Sequence, residues 1–82
     1  MEKLHLTVIS PQERVFEGDV SVVTLPGTLG AFTILPQHAP IISSLEKGKI
    51  SFSAIGESEA REVEIDGGFV EMSDDKVTVC IC

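Results

Sequence analysis

Residues 62–71 read EVEIDGGFVE. Val63 and Ile65 alternate with Glu62, Glu64 and Asp66. A period of two belongs to a β-strand with one face buried and the other in water. Two glycines, Gly67 and Gly68, come directly after this run, just before Phe69. Paired glycines weaken a strand unless φ is positive or another backbone passes close, so a structural role is expected for them.

The same period recurs on both sides of this stretch. Leu4, Leu6 and Val8 alternate with His5 and Thr7; Ile50, Phe52 and Ala54 alternate with Ser51 and Ser53. Val77, Val79 and Ile81 alternate with Thr78, Cys80 and Cys82. Turn signals separate the runs: Ser10-Pro11, Gly18-Asp19, Pro26-Gly27, Gly30, Pro36, Pro40, Lys47-Gly48, Gly56, Gly67-Gly68 and Ser73-Asp74-Asp75. Val20 and Val22 share one face while Val23 and Leu25 take the other, a phase slip that predicts a β-bulge. No segment free of Gly and Pro carries a 3.6-residue apolar stripe of helical length. The expectation is an all-β chain of eight to ten short strands, as a sandwich or a barrel, forming a single domain over residues 1–82.

The composition narrows the function classes. Thirteen acidic residues against six basic give a net charge of −7. That disfavours a phosphate backbone, which needs clustered Lys and Arg, and an anionic lipid surface. No apolar run approaches the ~20 residues of a membrane span. Met1 to Ile9 includes Glu2, Lys3 and His5, so it reads as neither a signal nor a transit peptide. Cys80 and Cys82 stand two apart on one predicted strand, about 7 Å from each other, too far for an unstrained disulfide. A reducing compartment fits. So small a chain buries only about 60–65% of its unfolded surface, which makes a partner surface a natural source of further stability.

Residues 34–40, ILPQHAP, raise the possibility of a site. His38 stands between Pro36 and Pro40 and is followed by Ile41 and Ile42. As a general base it needs a nucleophile and an orienting acid. Ser43, Ser44 and Asp66 are available, but neither serine has a nucleophile elbow around it. A zinc site built from Cys80, Cys82, His5 and His38 lacks the tight paired ligand spacing of structural zinc; two small side chains on one strand face explain the cysteines more simply. Gly27-x-x-Gly30 is followed by a predicted strand, Ala31 to Leu35, where a phosphate cradle leads into a helix, so a hairpin is expected. Lys47 lies in the turn Leu45-Glu46-Lys47-Gly48-Lys49. A biotinyl or lipoyl carrier domain with a modified Lys47 is therefore the alternative function, although Gly48 beside it is ordinary turn chemistry and the residues expected around a carrier lysine are missing. No catalytic residue, metal site or cofactor site is expected.

Taken in order, the motifs Val15-Phe16-Glu17-Gly18-Asp19-Val20, Leu25-Pro26 with Gly30, Ile34 to Pro40, Gly48-Lys49-Ile50 and Ile65-Asp66-Gly67-Gly68-Phe69-Val70-Glu71 resemble the N-terminal β-sandwich of the epsilon subunit of F-type ATP synthases, from Leu4 to Val79. The resemblance implies a two-sheet sandwich of about ten short strands with no substantial helix. It implies a non-catalytic rotor subunit of the central stalk, coupling the gamma subunit to the c-ring during ATP synthesis. It implies no direct membrane insertion, no nucleic acid and no small-molecule substrate, and a peripheral place on the cytoplasmic face of a bacterial plasma membrane.

Carried over residue by residue, the gamma-facing side comprises His38, Ala39, Pro40 and Ile42 with Ser10 nearby, and the ring-facing tip comprises Thr28, Leu29, Gly30, Ala31 and Phe32. Prolines fix φ and remove donors, and a preset corner loses little entropy on docking. Thr33 stands where many members of the family have glycine, and Ala31 where an acidic or polar residue is common, which leaves apolar or backbone contacts to the ring. The family usually continues into a C-terminal helical hairpin, so a short form or a piece of a longer protein is expected.

Overall fold

A computed structural model describes residues 2–82. The described residues form eight strands and no helix: β1 Leu4–Ile9, β2 Arg14–Gly27, β3 Gly30–Ile34, β4 Ile41–Leu45, β5 Gly48–Ala54, β6 Arg61–Ile65, β7 Gly68–Ser73 and β8 Lys76–Ile81. The pairing path is β1-β8-β7-β4-β2-β5-β6, with β3 on β2 and β1 also on β2. The 14-residue β2 serves both layers of the sandwich. Its first half pairs β1, which leads parallel to β8 and on to β7 and β4. Its second half pairs β3 on one edge and β5, then β6, on the other.

The eight strands fall at the lower end of the expected eight to ten, below the about ten that the resemblance implies, and the two layers form one continuous sheet folded over at β2. The cause is visible at Gly18-Asp19. It reads as a turn but lies inside β2, paired with Leu6 and His5. The Phe16 ring covers Gly18, where an added Cβ would stand 3.1 Å from Cζ. The expected phase slip is present as a register shift between Val20 and Val22 against β5. It switches the inward side from Val20 to Val23 and Leu25.

The core comprises Leu4, Leu6, Val8, Val20, Val23, Leu25, Ile34, Leu45, Ile50, Phe52, Ile65, Val70, Met72, Val77 and Val79. These are the inward residues of the alternating runs, each contributing about 1.5–3 kcal/mol by leaving water. The Phe16 ring packs at a tilt against Phe52, centroids 4.5 Å apart, joining the two layers, and the Arg61 guanidinium lies 5.6 Å from the Phe16 ring centre.

The glycine pair fulfils both conditions its sequence implied. Gly67 and Gly68 have φ of 148° and 147°. A Cβ on Gly68 would run into the Cys80 carbonyl oxygen and stand 3.0 Å from Ile81 Cα.

Candidate functional site

The 36–40 corner links β3 to β4, and local hydrogen bonds hold its shape. The His38 N–H donates to Leu35 O at 3.2 Å, closing a turn. Gln37 at its centre has φ of 68°, a left-handed conformation unusual for a side chain with a Cβ. Its N–H donates to Asp75 Oδ1 at 2.6 Å. Asp75 in turn lies in the two-residue loop Asp74-Asp75, closed by the Ser73–Lys76 pair. Both loop residues have positive φ, 50° and 60°, the pattern of the tight turn that matches strand twist. The corner is thus bolted to the β7–β8 hairpin. In the sequence its stiffness shows only in the prolines, and Asp75 reads only as turn chemistry.

His38, Ala39 and Pro40 are all exposed. The Nδ1–H of His38 donates to Ala39 O at 2.7 Å. The serines considered as nucleophiles make other bonds: Ser43 Oγ donates to Ser44 O, and Ser44 Oγ pairs with Thr28 Oγ1 at 2.9 Å. Among the described residues, no three His, Cys, Asp or Glu side chains come together to hold a metal ion. Lys47 is exposed in the short β4–β5 turn, where the Glu46 N–H donates to Pro26 O.

Ile42 projects outward from β4 and is 77% exposed. The pairing register runs from Ile42 to Glu71, Thr78 and Thr7 across β4, β7, β8 and β1, and a second row runs from Ser44 to Phe69, Cys80 and Ile9. Phe69, 52% exposed, stands in this second row, toward the Ser10 end of the face. The inward phase of Val70 and Met72 already marks Phe69 as outward, a signal the glycine pair obscured. A shallow cleft of about 390 Å³, lined by Pro40, Ile41, Ile42, Glu71, Met72 and Ser73, lies at the corner end of the face.

Ser10 does not stand beside the corner. It follows Ile9, which pairs with Cys80 at the far end of β8, whereas His5 pairs with Lys76 next to the corner's anchor. Corner and Ser10 therefore mark opposite ends of one layer, with the Ile42–Phe69 face between them. Ser10 closes its own turn, its N–H donating to Glu13 O at 2.8 Å.

Thr28 and Leu29 form the tip of the β2–β3 hairpin, enclosed by the Gly27–Gly30 pair. The Thr28 N–H donates to Ser44 O at 3.2 Å, tying the tip to the Leu45 end of β4. Leu29 is fully exposed. Gly30 has φ of 126°, which the tight loop requires. Ala31 is exposed, and Phe32 folds back over Gly27, where an added Cβ would stand 2.7 Å from its ring. The tip and the corner are separated by the length of β4, five residues or about 13 Å at 3.3 Å per residue.

The outward face of β1 and β2 carries a network of charges. His5 Nε2–H donates to Glu17 Oε2 at 2.9 Å, and Nδ1–H to Asp19 Oδ1 at 3.2 Å. Lys3 reaches Asp19 at 3.0 Å and Arg14 reaches Glu17 at 2.8 Å. The hydrogen bond to Glu17, then that to Asp19, raises the His5 pKa. The His5 bond, then the Arg14 charge, lowers Glu17; the Lys3 bond, then the His5 bond, lowers Asp19.

With this geometry, the chain matches the family model "ATP synthase, Delta/Epsilon chain, beta-sandwich domain" over residues 3–81. The ATP synthase epsilon chain of Desulfitobacterium hafniense is 46% identical over 74 residues, covering 90% of this chain and 54% of that protein. The epsilon chain of Nitratidesulfovibrio vulgaris is 42% identical over 80 residues, covering 96% and 58%. The chain thus spans little more than half the length of these relatives. Among solved structures, a chain of the Euglena gracilis mitochondrial ATP synthase superposes with a TM-score of 0.90 at 20% identity, covering 99% of this chain and 51% of that one. A chain of the Tetrahymena thermophila mitochondrial ATP synthase central stalk and c-ring does so with 0.80 at 17% identity, covering 98% and 63%. At such low identities these two establish likeness of fold. The family match covers nearly the whole chain: the chain belongs to the ATP synthase delta/epsilon-chain β-sandwich family.

Proposed function

We propose that residues 1–82 make a single β-sandwich domain of an epsilon-type rotor subunit, a non-catalytic part of the central stalk of a proton-translocating F-type ATP synthase that couples the gamma subunit to the c-ring. The observation that carries this reading is a tethered corner at one end of β4 and a fully exposed hairpin tip tied to its other end. A coupling piece needs two contact regions held at a fixed separation, and the tie from Thr28 to Ser44 links the tip directly to β4.

In this reading His38, Ala39, Pro40 and Ile42 face gamma. Ser10 belongs to the same contact only if gamma runs the length of the Ile42–Phe69 face. Thr28, Leu29, Gly30, Ala31 and Phe32 face the ring. With a neutral Ala31, Leu29 supplies an apolar contact in place of a carboxylate. The subunit takes no cofactor, nucleic acid or small-molecule substrate, and does not itself enter the membrane. It is membrane-associated through the ring, on the cytoplasmic face of the bacterial plasma membrane. The family match gives no support to the carrier reading of Lys47.

The test is co-purification of the tagged chain with gamma and with c-rings, alongside its intact mass. Retention of gamma by an unmodified chain supports the coupling role. Failure to retain gamma, or an added biotin or lipoyl group on Lys47, overturns it.

A further inference from the structure

We propose that His5, held between Glu17 and Asp19, is a proton-operated clasp that fastens the start of β1 to β2 and, through Asp75, steadies the 36–40 corner. Both imidazole nitrogens of His5 face carboxylate oxygens, at 2.9 and 3.2 Å. Only the doubly protonated ring donates from both. When the ring gives its proton to water, one nitrogen turns a lone pair toward a carboxylate and that contact is lost.

The surrounding charges make His5 the group that switches. Lys3 stays on Asp19 and Arg14 on Glu17, so both carboxylates remain ionised and positioned when the imidazole becomes neutral. From β8, Lys76 is the register partner of His5, and Asp75 precedes it. Glu17 and Asp19 hold the His5 pKa above its ordinary value, and histidine is the side chain whose ordinary charge change lies nearest physiological pH.

The link to the corner is short. The His5 N–H donates to Asp75 O at 2.9 Å, and Asp75 Oδ1 accepts from the Gln37 N–H. One residue therefore receives the backbone of β1 and the backbone of the corner. Loosening the start of β1 loosens the anchor of the corner. This inference stands on the isolated chain and does not depend on what the corner binds.

The experiment is a nuclear magnetic resonance titration of the chain from about pH 5 to about pH 9, reading the His5 imidazole and the exchange of the His5 and Gln37 amides. His38→Gln leaves His5 as the sole imidazole signal. The expected His5 midpoint lies above the free-histidine value of about 6.5 and falls in Glu17→Gln. Corrected for intrinsic exchange, protection of both amides falls as the pH rises through that midpoint. The fall is tenfold for each pH unit separating the folded and unfolded midpoints. A midpoint at or below about 6.5, a midpoint indifferent to Glu17→Gln, or protection independent of pH at either amide overturns the clasp.

Discussion

The Gln37 N–H donates to Asp75 Oδ1 at 2.6 Å, joining residues 38 apart in sequence. The corner that carries His38 is therefore a fixed part of the β7–β8 hairpin. Asp75→Gly removes the acceptor while keeping the positive φ that the loop needs. The expected loss of stability is about 1 kcal/mol, the net worth of one hydrogen bond. Exchange of the Gln37 amide should accelerate selectively. Unchanged Gln37 protection in Asp75→Gly would show that the corner holds its shape without the Asp75 anchor.

Gly68 and Gly56 separate close approach from backbone strain. Both have positive φ, but an added Cβ meets the Cys80 carbonyl at Gly68 and nothing within 4 Å at Gly56. Gly56→Ala should cost about 1 kcal/mol through strain alone. Gly68→Val should cost more, about 1–3 kcal/mol, because β7 and β8 must part. Denaturant midpoints of the two variants check this; equal losses would mean that the close approach is relieved at no cost.

How far the fold was legible follows from where the period of two survives. Leu4-Leu6-Val8, Ile50-Phe52 and Val77-Val79 appear in the core as their alternation requires. The bulge was legible because Val22 and Val23 break phase. The continuity of β2 was hidden, since Gly18-Asp19 carries turn residues for other reasons: Gly18 accommodates the Phe16 ring, and Asp19 binds Lys3 and His5. For the candidate site, the stiffness of ILPQHAP was legible in its prolines. The Asp75 anchor was not, because a contact across 38 residues leaves no local pattern. Nor was the separation of Ser10 from His38, which depends on the parallel pairing of β1 with β8.

The charge pairs outside the core set an acid limit. Glu17, Asp19 and Glu57 all have lowered pKa values, through hydrogen bonds to His5, Lys3 and Arg61 respectively. Lowered carboxylates stabilise the fold above their unfolded midpoints, and that contribution is lost as the pH falls through the folded ones. His5 runs the other way: its contribution is complete below its unfolded midpoint and lost as the pH rises through the folded one. Stability should therefore be greatest between the carboxylate range and the His5 midpoint. All these groups are exposed, so the curve should be shallow and flattened by salt. A stability maximum on the alkaline side of the His5 midpoint would contradict the assignment.

Leu29 at the hairpin tip contributes nothing to the core, being fully exposed. Leu29→Ser should leave the melting temperature within the range of about 0.5 kcal/mol that surface changes show. If the tip is the ring contact, the variant should co-purify less with c-rings while keeping gamma. Retention of c-rings equal to wild type would remove Leu29 from that contact.

If the chain couples gamma to the ring, the 36–40 corner docks on gamma. His38→Glu tests it most directly, because His38 is exposed in the free chain and its N–H rather than its side chain closes the corner turn. A carboxylate there costs the free fold no more than about 0.5 kcal/mol, whereas an unpaired charge trapped in an interface costs several. The measurement pairs the melting temperature of the free chain with its affinity for gamma. Near-wild-type melting and at least about tenfold weaker binding are expected, a change that needs only about 1.4 kcal/mol. Unchanged affinity would contradict this docking and leave the corner as a turn with no part in assembly.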